Sequence, residues 1–600
     1  MRFSLALLMF CLGVGAAAGA ETQSGESFDW EAWRYLPVQD GGRHKPLDTL
    51  AWETLRTLCN RARFVEPDSR QKLDSTAVYL CMLFDSRGWD GPADPHSMSM
   101  DPRAVYFGGR DPDKWDKAPM LRVDFLDLRS ALGFSQDQKY VSPLELCESS
   151  IRDPQGGKQT PFLSWARELA LNRERRGLTT LEQKGVELAA KFLAYQEHRT
   201  GRKLCVLPVQ GSEGQHWTSV ADLIRAEFND RTDPSGALRT VKKQLEEARR
   251  AYLNGSAEEF NRASGAFLAA VKEVGPKLGE YPKPGTIDLE VAYNHWVPFR
   301  FAWVFTTFAF LFLLLSMGSG WRSFYLLGWA AFAAGLIAML VGFGSRVMIS
   351  GRAPVTNMYE SVIYLGFGAV AFGLVFELVH RKKFVLTAAA AVATVALILA
   401  DNCPAVLDPS LKPLQPVLRS NFWLVTHVMS ITLSYAAFAV ALGIGNITLG
   451  YFLAGSKNRE VITALSSFTY KTLQVGVLLL AVGTILGGVW ADYAWGRFWG
   501  WDPKEVWALI ALLGYLAVLH ARYVGWVGHF GLAALSVICF SLVVMAWYGV
   551  NFVLGAGLHS YGFGGGGQHY VYGAILLQFL YVGAAAVRPR IAGRAASTCV

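Results

Sequence analysis

Long apolar runs divide the chain into two parts. Charged residues are dense up to about residue 300, whereas from Phe301 onward uncharged runs of Leu, Ala, Val, Phe and Gly alternate with short loops. A helix needs roughly 20 mostly apolar residues to cross a bilayer. The pattern therefore predicts about nine membrane-spanning helices, at residues 298–317, 323–343, 360–378, 384–400, 422–453, 467–489, 504–522, 527–549 and 569–587.

The part from 21 to 297 has a different pattern. Apolar residues recur at helical spacing among charges in 182–197 and 237–274, while Gly, Pro and Asp cluster near 86–118 and 152–161 as they do in loops. The predicted fold class is thus mainly α, with a polytopic membrane domain preceded by a mixed, mostly helical soluble domain. Because that domain has no recognisable catalytic constellation, we expect it to bind or to act as a scaffold.

The first twenty residues are typical of an export signal or N-terminal anchor. Arg2 precedes the apolar stretch 3–14, and small residues end at Ala20. We therefore expect 21–297 outside the cytoplasm, where the first span begins. Alternation of the spans then puts most basic loops inside, as the positive-inside rule requires, including a cytoplasmic tail at 591–600. The predicted location is the inner (cytoplasmic) membrane.

Charge and cysteine content exclude several functions. The net charge of +8 could suggest nucleic acid, but many basic residues of the membrane half lie in short loops between apolar runs, so we expect no nucleic-acid partner. The sequence has no Cys-x-x-Cys pair, which argues against a thioredoxin-type centre and a covalently attached haem. Structural disulfides are left open among Cys59, Cys81, Cys147 and Cys205.

Candidate ligand-binding residues concentrate at 490–507, where the sixth and seventh predicted spans are joined. Asp502, Pro503 and Glu505 have the pattern of a helix start, with an acidic N-cap, Pro at the first helical position and Glu three residues after the cap. Tryptophans often anchor membrane interfaces, but five in eighteen residues, interleaved with glycines, favour a broad, flat apolar surface for a planar ligand. They are Trp490, Trp495, Trp499, Trp501 and Trp507.

Histidines supply the second half of the site. His427 lies near the predicted outer end of the fifth span and His559 in the outer loop after the eighth, so both flank the tryptophan segment. Two imidazoles beside an aromatic surface favour axial ligation of haem iron. His520 lies roughly 24 Å of helix beyond Lys504, near the inner face, where it either caps carbonyls or marks a pathway.

These residues resemble a known family. The run from Trp495 to Trp507 closely resembles the WWD signature of the haem-handling proteins of cytochrome c biogenesis. The segments 350–361 and 557–561 resemble the CcsA/ResC branch, the membrane subunit of the system II cytochrome c synthase. The resemblance covers about 300–590. It implies that His427 and His559 are the outer axial ligands of haem b, that His520 serves an inner haem site, and that the loop with Asp502 holds the haem edge.

The resemblance also implies partners. Haem would pass outward and be joined to the thiols of a Cys-x-x-Cys-His segment in an exported apocytochrome c. The chain lacks its own cysteine pair, so a separate thiol reductant is expected. No typical span upstream of residue 298 carries the second inner-site histidine, so we expect it from a CcsB/ResB-like subunit. His380 is a less favoured substitute, and 36–49 only faintly resembles the extracytoplasmic part of fused synthases.

Three other functions stay open at this point. One is a haem exporter or chaperone with no role in bond formation, and another is a membrane electron-transfer cytochrome with permanent haem. A solute transporter is the least favoured, because no inverted repeat or pair of broken helices is evident.

Overall fold

The computed structural model describes residues 27–61, 63–68, 70–86, 111–152, 159–172, 177–209, 216–404, 406–413, 422–456, 458–555 and 567–597. The predicted export signal at 1–20 lies outside these residues. The chain divides into two compact units, Met1–Val291 and Ala292–Val600.

The first unit combines helices with small antiparallel sheets, so the prediction of a mixed, mostly helical region is confirmed. A four-stranded sheet has the spatial order Trp217–Ser219, Cys205–Pro208, Pro37–Asp40, Arg43–Pro46. Three further strand pairs are Arg63–Val65 with Lys72–Asp74, Leu121–Arg122 with Tyr140–Val141, and Ser150–Arg152 with Gln159–Pro161. The helices are Leu47–Cys59, Ser75–Phe84, Lys114–Lys117, Leu126–Ala131, Pro143–Glu148, Phe162–Asn172, Thr180–Arg199, Val220–Arg225, Ala237–Leu253, Ala257–Leu278 and Pro284–Trp296.

Two sequence interpretations of this unit change. The helical pattern at 237–274 is two helices, because the chain turns at 254–256. The structure shows no disulfide among the four described cysteines for which one was left open, which lie on four different elements: Cys59, Cys81, Cys147 and Cys205.

The described residues of the second unit contain the nine apolar helices that the sequence predicts. We call them the first to ninth spans. Their bounds are Pro298–Ser319, Arg322–Ser350, Met358–His380, Phe384–Asn402, Phe422–Leu453, Arg459–Trp495, Pro503–Tyr523, His529–Leu554 and Gln568–Val587. The ninth helix itself continues to Ser597, into the predicted tail.

The helices are longer than hydropathy predicts. The second span ends only at Gly351 and the sixth only at Gly496, each a glycine in the left-handed region that stops the helix. Three of the loops that lie between the predicted spans at this end of the bundle therefore start several residues before the observed helices stop. These predicted loops are 344–359, 490–503 and 550–568. Apolar length marks the lipid-facing stretch of a helix, whereas the stop depends on local backbone chemistry.

Glycines let neighbouring spans approach closely. A Cβ atom at Gly328, Gly335 or Gly342 of the second span would lie less than 3.0 Å from Leu313, Thr306 or Phe299 of the first. The same holds between the sixth span and the fifth, where Gly476 meets Phe438 and Gly483 meets Ile431. Close packing through small residues is a common way for membrane helices to associate.

Candidate functional site

The tryptophan loop is the connection between the sixth and seventh spans, and because the spans alternate in direction, three other connections lie at the same end of the bundle. We call this end, which also holds the start of the first span, the tryptophan-loop end. The opposite end carries the turns near 320, 382, 456 and 526.

His427 is held against the sixth span near the tryptophan-loop end. Its Nδ1 lies 2.7 Å from the carbonyl oxygen of Gly483, a contact in which Nδ1–H donates. That hydrogen bond fixes the tautomer, so Nε2 is the nitrogen with the basic lone pair. A Cβ at Gly487 would lie 2.4 Å from Cε1 of the imidazole. The imidazole therefore lies in a space that exists because Gly487 has no side chain.

The tryptophan loop is shorter than predicted. The sixth span continues through Trp495, so the connection is only 496–502. The predicted start of the next helix is confirmed, with Asp502 and Glu505 forming a capping box and Pro503 in the first turn. Glu505 also accepts a hydrogen bond from the backbone N–H of Gly500 at 2.8 Å. One carboxylate thus fixes the loop to the seventh span.

The five tryptophans do not form one flat surface. Trp490 is 2% exposed and meets Trp495 at an angle of 68°, and Trp499 meets Trp501 at 87°. Edge-to-face packing is favoured by the ring quadrupole, which explains why clustered indoles do not lie coplanar. Trp507 is half-buried on the seventh span. The most exposed of the five indoles is Trp501, which is 71% exposed.

Trp501 has an unusual backbone conformation. Its φ of 56° lies in the left-handed region, which costs a non-glycine residue roughly 1 kcal/mol. Glu505 accepts hydrogen bonds from the backbone N–H groups of Gly500 and Asp502, which flank Trp501. These two bonds oppose relaxation of the turn. The loop is thus built to hold this indole outward.

Aromatic packing connects the fifth and seventh spans deeper in the bundle. The rings of Phe438 and Tyr515 stack face to face, with centroids 3.8 Å apart and an interplanar angle of 1°. Both side chains are buried. The two spans run in the same direction, since each starts at the tryptophan-loop end. The pair therefore joins these two spans inside the bundle, and we call it the aromatic pair.

The second predicted ligand, His559, lies outside the described residues. The eighth span that precedes it changes to π-helical geometry over Met545–Leu554, a feature often found at functional sites. This segment is fixed to the third span, because Trp547 Nε1 donates to Ser361 Oγ at 3.0 Å. The stretch leading to residue 555 is therefore anchored at the tryptophan-loop end.

His520 lies near the opposite end, as predicted from its distance along the seventh span. Its side chain is exposed, and Nδ1 contacts the carbonyl oxygen of Leu516 in its own helix at 2.7 Å. His380 packs against Phe376 and Phe468 in the third and sixth spans. The structure thus separates His520 from His427 by most of a span.

The sequence analysis did not identify a buried ion pair at the tryptophan-loop end. Arg346 of the second span donates to Glu360 of the third at 2.7 Å, and the two side chains are 0% and 1% exposed. Glu360 also accepts from the backbone N–H and hydroxyl of Thr356. The sequence signal that points to Arg346 is a basic residue at the end of the membrane domain where the positive-inside rule does not expect one. Such an exception signals a residue with a partner inside the protein.

Comparison with known proteins gives a consistent result. Residues 355–559 match the family model described as "Cytochrome C assembly protein". The chain is 32% identical over 290 residues to cytochrome c biogenesis protein CcsA of Guillardia theta, covering 42% of this chain and 94% of that protein. It is 38% identical over 255 residues to CcsA of Prochlorococcus marinus, covering 36% and 78% respectively.

Two further matches cover less of the related protein. Protein NrfI of Wolinella succinogenes is 38% identical over 245 residues, which is 40% of this chain but only 26% of NrfI. Among solved structures, cytochrome c heme lyase CcmF aligns with a TM-score of 0.36 and 15% identity, over 48% of this chain and 50% of that one.

Proposed function

Because the chain belongs to the cytochrome c assembly protein family, we propose that its second unit receives haem b and presents it for covalent attachment to an exported apocytochrome c. A role in cytochrome c maturation and haem handling follows from family membership. One observation carries the site assignment. The imidazole of His427 is held by Gly483 and Gly487 beside the tryptophan loop, with Nε2 as its ligating nitrogen.

His427 and His559 are the two axial ligands in this proposal. Neutral imidazole suits iron, and a hydrogen bond from Nδ1–H to a carbonyl raises the basicity of Nε2. The anchoring of the π-helical segment by Trp547 and Ser361 supports delivery of His559 to the same end. Two imidazoles fill both axial positions of the iron and so limit its reaction with oxygen.

The tryptophan loop contacts the face or edge of the porphyrin. Trp501 is the exposed indole and packs on Trp499, while Trp490 and Trp495 pack on each other. Stacking on such a ring contributes roughly 1 kcal/mol. Asp502 acts indirectly by starting the seventh span at a fixed height, and Trp507 lies one turn further along.

The attachment chemistry needs little from the chain beyond placement. Each thiol S–H of the Cys-x-x-Cys-His segment adds across one vinyl C=C, forming a C–S and a C–H bond with no net oxidation or reduction. The thiols must be reduced beforehand, so we include a separate thiol reductant. The histidine of the segment then replaces one imidazole ligand, which releases the product.

The orientation in the membrane is part of the proposal. We place the tryptophan loop and the first unit on the extracytoplasmic side of the inner membrane, because most basic turns then lie inside. In this proposal the first unit binds or positions a partner of the reaction.

His520 belongs to an inner haem site that another subunit completes. An ionisable side chain exposed on a membrane helix is unfavourable without a partner, and His520 is exposed in this chain. A CcsB/ResB-like subunit that supplies the second imidazole would cover it. This assignment places the chain in the CcsA/ResC branch of the system II synthases.

Absorption spectroscopy of the purified full chain tests the proposal. We expect wild type to carry haem with the spectrum of a low-spin, bis-imidazole iron, and His427→Ala to lose that spectrum. His380→Ala is the matched control, because His380 packs between phenylalanines at the opposite end. Identical haem content in wild type and His427→Ala would refute the ligand assignment.

Co-expression with a CcsB/ResB-like subunit and an apocytochrome c separates the remaining functions. A synthase component yields covalent haem in the cytochrome and loses haem as product accumulates. A haem chaperone binds haem without promoting attachment. A permanent electron-transfer cytochrome retains its haem when the apocytochrome is supplied.

A further inference from the structure

The turn between the third and fourth spans has an unusual conformation, at the end opposite the tryptophan loop. Arg381 and Lys383 have φ values of 53° and 60°, a region that residues other than glycine rarely adopt. A buried carboxylate of the third span stabilises this shape. Glu377, which is 2% exposed, accepts a hydrogen bond from the backbone N–H of Lys383 at 2.8 Å. The turn is therefore fixed from within the bundle.

The same carboxylate joins this turn to the one between the first and second spans. Tyr325 of the second span donates its hydroxyl to Glu377 at 2.7 Å. Lys383 donates its ammonium to Ser316 Oγ of the first span at 3.0 Å. The ends of three spans thus meet at two adjacent turns.

Four exposed side chains lie just beyond this contact. The hydrogen bond of Tyr325 and Glu377 joins two spans that run in opposite directions, so one further helical turn along each span leads to the same end of the bundle. Those two turns carry one tryptophan and three cations. We call these four exposed residues the basic junction: Trp321, Arg322, Arg381 and Lys382.

An exposed apolar strip precedes the basic junction on the third span. Val375, Leu378 and Val379 lie in the last two turns before Arg381 and are 57%, 60% and 68% exposed. Trp321 is 65% exposed as well, and an indole suits the boundary between hydrocarbon and water. Cations directly beyond an apolar strip are complementary to a molecule with an anionic head and hydrocarbon chains.

We propose that the basic junction binds the phosphate of an anionic phospholipid whose acyl chains lie along the apolar strip of the third span. Clusters of Lys and Arg at the ends of membrane helices attract anionic headgroups. The positive-inside rule alone asks only for basic loops and is satisfied by mobile side chains. A turn that Glu377 holds in a rarely adopted conformation instead indicates a site that needs its cations in fixed positions.

Lipid titration of the purified full chain in an uncharged detergent tests the inference. Native mass spectrometry counts the bound molecules of three probes. They are dioleoyl phosphatidylglycerol, dioleoyl phosphatidylcholine, which has the same chains and no net charge, and glycerophosphoglycerol, which has the anionic head without chains. We expect one phosphatidylglycerol to bind roughly tenfold or more tightly than either of the others, since each nearby cation contributes about fivefold in affinity.

Substitution of two exposed cations provides the decisive variant. Arg381→Gln with Lys382→Gln should lower the affinity for phosphatidylglycerol roughly tenfold or more, toward that for phosphatidylcholine. Arg459→Gln with Lys471→Gln is the matched control, because it removes the same charge from exposed positions of the sixth span. The control should bind as wild type does. Equal losses in the two variants would show that overall charge attracts the lipid and would overturn the site.

Glu377→Leu tests Glu377 as a positioning residue. The substitution removes a negative charge, so charge alone predicts tighter binding of the anionic lipid. We expect weaker binding, because the turn is released. Glu377→Gln retains an acceptor oxygen and should keep most of the wild-type affinity. Tighter binding by Glu377→Leu would refute the fixed turn as the basis of the site, and if this variant does not fold, the variant without Arg381 and Lys382 decides.

Two further results would overturn the inference. One is equal affinity of wild type for phosphatidylglycerol and phosphatidylcholine. The other is binding of glycerophosphoglycerol as tightly as the lipid, which would identify a site for a free phosphate instead. Neither result affects the proposed haem site, because His427 lies at the other end of the bundle.

Discussion

The position of one imidazole depends on two glycines of the sixth span. Gly483 supplies the carbonyl that receives Nδ1–H of His427, and Gly487 supplies the space beside the ring. We expect Gly487→Ala to lower haem affinity roughly tenfold, because the new methyl group would displace the imidazole from its hydrogen bond. Haem titration of the purified chain measures the change.

Gly344→Ala is the control for that substitution. Gly344 is also a glycine in a membrane span, but a Cβ there meets nothing within 4 Å. The haem affinity of Gly344→Ala should match that of wild type. If Gly487→Ala binds haem as tightly as wild type, the space beside the imidazole of His427 is not required for haem binding.

A second residue-scale prediction concerns His198 in the first unit. Burial lowers its pKa to about 4, with Tyr79 Oη 3.1 Å from Nδ1. The folded state thus holds the ring neutral, whereas the unfolded chain titrates near 6.5. The stability due to this residue is complete above pH 6.5 and falls by up to roughly 3 kcal/mol as the pH drops toward 4.

Hydrogen exchange in Thr180–Arg199, corrected for its intrinsic pH dependence, measures this effect in the full chain. We expect His198→Gln to show a shallower loss of protection between pH 6.5 and 4, because glutamine has no proton to gain there. His216→Gln, at an exposed position, should follow wild type. Equal slopes for His198→Gln and wild type would contradict the assignment.

At the scale of elements, the second and third spans are joined by the ion pair of Arg346 and Glu360. Both side chains are fully buried, so removal of one leaves an uncompensated charge. We expect Arg346→Met to destabilise the protein by about 3–5 kcal/mol. The double variant that carries both Arg346→Met and Glu360→Met should be more stable than Arg346→Met alone, because no unpaired charge remains buried. Thermal unfolding in detergent measures both.

The pair of Arg300 and Asp401 provides the comparison. Arg300 is 56% exposed at the same end of the bundle. Arg300→Gln should cost less than about 1 kcal/mol, since water screens the pair. If the two single variants lose equal stability, burial is not what makes the Arg346 pair important.

The elements show what the sequence could and could not predict. Nine apolar runs predict the nine spans, and Asp502, Pro503 and Glu505 predict a helix start, because both signals are local. The ends of the sixth span were missed, since apolar content does not determine where a helix stops. The angles between indoles and the partner of Arg346 depend on residues distant in sequence, so no local pattern contains them.

At the scale of the whole molecule, the chemistry is concentrated in the second unit. The tryptophan loop, His427 and the aromatic pair all lie in Ala292–Val600, while the sheet and its helices lie in Met1–Val291. Charge density along the sequence predicts a boundary at 297/298, and the two compact units meet at 291/292. The sequence could not predict the contact between the fifth and seventh spans, because Phe438 and Tyr515, which stack there, are distant in the sequence.

This separation predicts where haem stabilises the protein. A ligand at 100 times its dissociation constant stabilises the state that binds it by about 2.7 kcal/mol. We expect added haem to slow hydrogen exchange in the fifth and seventh spans of the full chain, but not in the sheet strands Pro37–Asp40 and Cys205–Pro208. His427→Ala should abolish the effect. Protection that appears in the sheet instead would place the haem site in the first unit and refute a haem site at His427.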